Sequence, residues 1–198
     1  MSGEPFPTMD EIDLARSREY SLLSVLLLRS PDAHMLGQLA ELVGDASPIG
    51  TAHAAVAQAA RRLDAEQVGR EYFNLFVGVG RGELLPYASF YLTGSLNGRP
   101  LAVLRQTLQR LGIERVAGLT EPEDHAGVLC EVMAALTGGS IAAPAQASQD
   151  FFVEHLVPWM PRLFHDVERA GFADFYASVG ALGRRFMEIE IESLTLPA

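Results

Sequence analysis

The sequence predicts an all-α fold: a single-domain helical bundle of about eight to ten helices. Three observations carry that reading. Helix start and stop signals recur along the whole chain, apolar residues follow them at helical spacing, and strand punctuation barely appears. At 198 residues the chain fits one domain.

The elements follow in order. Thr8 and Glu11 form a capping-box pattern ahead of an apolar-periodic segment that ends near Arg29. Ser30-Pro31 reads as an N-cap followed by the first helical residue, and Ser47-Pro48 repeats the device. Alanine and arginine fill Thr51 to Arg62, and Asp64 can cap a further helix through Phe76. The stretch from Gly78 to Gly98 is the one long non-helical segment. It holds Pro86, Tyr87, Phe90 and Tyr91, so it is expected to be ordered and packed. Pro100 opens a periodic stretch closed by Gly112. Thr120 and Glu123 form a second capping box, with Pro122 in the first turn and Gly138-Gly139 at the far end. Pro158 and Pro161 divide a helical stretch from Pro144 to Ala170 into two pieces. A last helix is expected from about Phe172 to Leu194. Its Met187 to Glu192 alternates like an edge strand but has no strand to pair with, so it reads as helix.

Composition narrows the function. A hydrophobic content of 48% is enough for a real core. Cys130 is the single cysteine, which excludes an internal disulfide and a cysteine-built metal centre and fits a reducing compartment. The net charge of −10 argues against nucleic acid or an anionic membrane as main partner and favours a cationic one. All fifteen cationic side chains are arginine, so a Schiff-base lysine and a P-loop lysine are excluded. The longest apolar run, Ser21 to Leu28, is too short to span a bilayer and follows acidic residues. No membrane insertion is expected, and the expected location is the cytoplasm.

Candidate chemistry is sparse. His34, His53, His125, His155 and His165 show no metal-ligand spacing, and no nucleophile elbow is present. Neither a catalytic residue nor a metal is expected, and Cys130 reads as a small core residue. Gly78-Val79-Gly80-Arg81-Gly82 resembles a phosphate loop in composition. It follows a helical segment rather than a strand, so it reads better as a helix stop and turn. Glu121-Pro122-Glu123-Asp124-His125 says more. Read as a helix start, it places Glu121, Asp124 and Val128 on one face, beside His125, Leu129, Val132 and Leu136. A carboxylate-rich mouth over an apolar groove suits an arginine-bearing, hydrophobic peptide.

Four segments together carry a resemblance: Tyr72-Phe73-Asn74-Leu75-Phe76, Pro86-Tyr87-Ala88-Ser89-Phe90-Tyr91, Glu121-Pro122-Glu123-Asp124-His125, and Phe151-Phe152-Val153-Glu154-His155-Leu156-Val157-Pro158-Trp159. In this order, from about Arg18 to Ile189, the chain resembles the TorD/DmsD family of dedicated chaperones of molybdenum-cofactor oxidoreductases. The resemblance implies a cytoplasmic protein that binds the twin-arginine signal peptide of a precursor enzyme and delays export until the cofactor is inserted. It implies no enzymatic activity and no cofactor beyond weak guanine-nucleotide binding in some members, and it leaves monomer or homodimer open. It also places peptide binding on Tyr87, Ser89 and Tyr91 and on Glu121, Pro122, Asp124 and His125, with a hinge near 112–125. Some members carry tryptophan where this chain has Tyr87. Two other readings stay open on the residues alone. One is a small helical enzyme or nucleotide-binding protein that uses the Gly78–Gly82 turn with Asp124 and His125. The other is a helical interaction module with a different client.

Overall fold

The computed structural model describes residues 11–114 and 121–195. Its first helix, α1, spans Glu11–Leu28; Thr8 of the capping box expected there lies outside the described residues. The next helix corrects the sequence reading. Asp32, not Ser30, is the N-cap: its carboxylate accepts from Met35 N at 2.8 Å, and α2 runs Ala33–Ala40. Serine and aspartate cap about equally well, so two neighbouring candidates compete and local propensity does not decide between them. At the next start Ser47 is the cap, with its Oγ accepting from Gly50 N at 3.0 Å and Pro48 in the first turn of α3, Pro48–Arg62.

Asp64 and Gln67 form a full capping box at the start of α4, Ala65–Tyr72. This helix widens into a π turn, Phe73–Val77, and stops at Gly78, whose φ of +64° favours glycine. The segment read as one long ordered loop contains a helix after all: α5, Ala88–Thr93. It then continues into α6, Arg99–Arg110. Helix α7 spans Ala126–Thr137. A short α8, Ala147–Phe151, passes into a second π turn, Phe152–Leu156, and α9 is Met160–Glu168. Pro158 lies in the break between the two pieces, as expected. Pro161 sits in the first turn of α9, where a missing N–H costs nothing. The last helix, α10, spans Phe175–Ser193 and takes in the alternating Met187–Glu192. It begins three residues later than the sequence suggests because its cap is distant. Glu71 on α4 accepts from Asp174, Phe175 and Tyr176 N–H at 2.9–3.1 Å.

The described residues thus form ten α-helices and no strand. One cluster of buried side chains draws on all ten, with Tyr20, Leu27, Leu129, Phe164 and Tyr176 near its middle. Helix α1 packs along α7, and α10 packs on both α9 and α3. The α9–α10 contact is close because Gly180 presents no side chain; a Cβ there would lie 2.3 Å from Glu168 N. Glu190, 2% exposed, is held by a two-pronged contact from Arg16 (2.8 and 2.9 Å) and by Tyr20 Oη at 2.7 Å, which locks α10 to α1. Cys130 is fully buried, and burial pushes its thiol up to about 12. No helix among the described residues is long and apolar enough to cross a membrane.

Candidate functional site

The 86–91 and 121–126 segments lie side by side. Ala88 N donates to Asp124 O at 3.0 Å and Ala126 N to Pro86 O at 2.8 Å, the only β-like pairing among the described residues. Side chains reinforce it. Tyr87 Oη donates to Glu121 Oε2 at 2.5 Å, and the Tyr87 and His125 rings meet edge to face at 5.1 Å. Burial raises the Tyr87 hydroxyl well above the ordinary tyrosine range, and the Glu121 carboxylate adds to it.

Asp124 and His125 are not surface groups. Asp124 is 1% exposed, and its Oδ2 accepts from Ser89 N at 2.9 Å, which caps α5 from across the junction. His125, 4% exposed, is the N-cap of α7, with Nδ1 accepting from Gly127 N at 3.1 Å. Burial pushes the imidazole down to about 4, against the opposing pull of the Glu121 and Asp124 carboxylates. The ring is therefore neutral at ordinary pH, as an acceptor at Nδ1 must be. This corrects the helix-face reading. Glu121 to Asp124 form a turn ahead of α7, closed by His125 N to Pro122 O at 3.1 Å, so Glu121, Asp124 and Val128 share no helical face. Thr120 of the expected capping box lies outside the described residues, as does the 115–120 part of the expected hinge.

The other expected residues separate. Ser89 is buried and its Oγ accepts from Asn97 N at 3.0 Å, which fastens the α5–α6 link. Pro122 is half-buried in the turn. Tyr91 turns away to α9: its hydroxyl donates to Asp166 at 3.0 Å, and its ring meets Trp159 and the Arg162 guanidinium. The Gly78–Gly82 turn folds back on its own helix, with Glu83 N bonded to Asn74 O and Leu84 N to Leu75 O. It opens no helix and so lacks the geometry of a phosphate loop.

Sequence reasoning expected an apolar groove at this motif but missed the part that α6 plays in one. A groove of about 400 Å³ runs between α6 and α7. Arg105, Leu108, Gln109 and Gly112 line one side, and Val128, Glu131, Val132 and Ala135 the other. Arg105, Leu108 and Gln109 share one face of α6 with Gly112 just past its end, and the α7 set follows the i, i+3, i+4, i+7 spacing of a single helix face. Ile113 and Ile141 extend the apolar floor, while Glu114, Glu121, Glu123 and Glu131 supply carboxylates. Its volume lies in the range of small binding clefts, roughly 300–1,000 Å³. Leu108 is the one large apolar residue on the α6 side, so most of the apolar lining comes from Val128, Val132 and Ala135 of α7.

A family profile described as nitrate reductase delta subunit matches residues 43–165. The chain is 28% identical over 137 residues to the chaperone protein TorD of Vibrio cholerae serotype O1, covering 64% of this chain and 62% of that protein. It is 30% identical over 149 residues to TorD of Aliivibrio fischeri, covering 67% of each. The match to the Vibrio cholerae relatives thus spans 62% of their length. The fold is shared with a crystal structure from Archaeoglobus fulgidus described as a redox enzyme maturation protein. That likeness has a TM-score of 0.60 at 20% identity and covers 94% of this chain and 99% of the other.

Proposed function

The chain belongs to the nitrate reductase delta subunit family and, within it, to the TorD/DmsD chaperones, and from that premise we propose that it is a cytoplasmic chaperone for the precursor of a molybdenum-cofactor oxidoreductase. It binds the twin-arginine signal peptide of that precursor, delays its export while the cofactor is inserted, and acts by binding rather than by catalysis. The observation that carries this reading is the carboxylate-bearing apolar groove between α6 and α7, next to the stitched 86–91 and 121–126 segments. A twin-arginine peptide presents two guanidiniums followed by an apolar run. The guanidiniums need carboxylates, and the run needs an apolar floor.

The junction residues divide the work. Tyr87 and Glu121 form the rim nearest the groove. Ser89, Asp124 and His125 hold that rim in place from inside, and Pro122 shapes the turn. Tyr91 steadies α5 against α9.

The test is a calorimetric titration of the full chain with a twin-arginine signal peptide and with the same peptide carrying glutamine at both arginines. The arginine peptide should bind about ten- to a hundred-fold more tightly, the size of one charge-assisted contact. Equal affinity for the two peptides would contradict the reading.

A further inference from the structure

We infer that Glu123 is the guanidinium subsite of the α6–α7 groove and that Arg105 occupies it as an internal competitor, which an incoming arginine must displace. This inference rests on the peptide-binding reading above and adds to it the two residues that set selectivity.

The geometry points to Glu123 rather than to the buried carboxylate next to it. Asp124 is buried inside the junction, where its Oδ2 accepts from Ser89 N, and is out of a peptide's reach. Glu123 lines the groove, and its carboxylate already receives a guanidinium. Arg105 Nε donates to one oxygen at 3.1 Å and Nη2 to the other at 2.8 Å. That two-pronged contact shows that the carboxylate plane is open to the planar fork of an arginine. The two partners differ in what holds them. The Glu123 side chain is 14% exposed and stands on a turn fixed by the backbone bonds to Pro86 and Ala88. The Arg105 side chain is 53% exposed, on a long stem from α6. The carboxylate is the fixed element of the pair and the guanidinium the exchangeable one.

The consequence is a threshold. A neutral or lysine-bearing apolar segment cannot reproduce the fork, so it leaves Arg105 in place, and the pair continues to link α6 to the turn before α7. A peptide arginine replaces a half-exposed contact with a stronger one that its own apolar run shields from solvent, which frees Arg105 to swing into solvent. Its apolar run then gains the floor formed by Val128, Val132 and Ile141. The chain thus selects arginine by competition at one carboxylate.

The experiment measures the affinity of the twin-arginine peptide for the full chain and for Arg105→Ala, Glu123→Gln, their double variant and Arg99→Ala, each checked for folding by circular dichroism. Arg105→Ala should bind about two- to fivefold more tightly, the size expected for losing a part-exposed competing ion pair. Arg99→Ala makes the same change in net charge from the groove-distant start of α6 and should leave affinity unchanged. Glu123→Gln should weaken binding about tenfold or more, and in that background Arg105→Ala should have no further effect. If wild type fails to discriminate the arginine from the glutamine peptide, the peptide reading falls, and this inference falls with it. If wild type discriminates but Arg105→Ala binds equally or more weakly, or Arg99→Ala tightens binding as much, only the competition at Glu123 is overturned.

Discussion

Asp124→Ala isolates the internal support of the junction, and its size can be worked from the structure. The carboxylate is buried and accepts from Ser89 N at 2.9 Å, while its backbone carbonyl separately holds Ala88 N. Truncation leaves the backbone pairing in place but strands the Ser89 N–H, and Ser89 is 1% exposed. A stranded buried donor costs about 1–3 kcal/mol. Loss of negative charge at the start of α5 adds about 0.3–1 kcal/mol. Part of this is returned, because a buried charge no longer has to be desolvated. The expected net loss is about 2 kcal/mol. For a chain of this size that lowers Tm by about 4–8 °C, at roughly 2–4 °C per kcal/mol. Asp124→Asn keeps an acceptor of the same shape and should cost about 1 kcal/mol or less. Urea unfolding followed by circular dichroism measures both, with an unchanged m-value as the condition for comparing them. If Asp124→Ala stays within about 0.5 kcal/mol of wild type, the carboxylate does not pin α5 and the division of labour at the junction is wrong.

Other outcomes follow from the same structure. His125 titrates lower in the folded chain, at about 4, than its ordinary 6.5, so the unfolded chain binds more protons between those values. Stability is therefore full above about pH 6.5 and is lost as the pH falls toward 4, and His125→Asn, which keeps a capping acceptor, should flatten that acid limb in pH-dependent denaturation. His53 acts in the opposite sense: its hydrogen bond to Glu19 raises it, so its contribution is present at low pH and is lost as pH rises through the folded value. Arg16→Met strands Glu190, leaving Tyr20 as its remaining side-chain donor, and should cost about 3–5 kcal/mol in chemical denaturation. Gly180→Ala forces a Cβ against the Glu168 backbone and should cost about 1–3 kcal/mol by the same assay, because backbone cannot rotate aside.

Much of the fold was legible because its signals are local. Ser47-Pro48 and Asp64 with Gln67 cap helices from within their own first turns, and a reader needs no tertiary structure to find them. Two of the misreadings share one cause, which is that the deciding partner is remote in sequence. Helix α10 takes its cap from Glu71, 103 residues before Asp174. Helix α5 takes a cap from Asp124, 35 residues after Ser89, so no local signal announced a helix inside the 78–98 segment. The site was half legible. The acidic motif and the aromatic segment stood out, and the structure sets them side by side. Charge alone could not tell which carboxylate is sealed in: Asp124 is 1% exposed, while the Glu123 side chain beside it is 14% exposed and lines the groove. The groove depends on how α6 and α7 stand against each other, which is a property of packing rather than of periodicity.

The central claim is that a client peptide lies in the α6–α7 groove with its arginines at the acidic turn. Photo-crosslinking tests it most directly, using a twin-arginine peptide with a photoreactive residue in its apolar run and mass-spectrometric mapping of the adducts. Crosslinks should fall on groove residues such as Leu108, Ile113, Val128, Val132 and Ile141, and excess unlabelled peptide should abolish them. Saturable crosslinks confined to another face, such as α2, α3 or α10, would contradict the account.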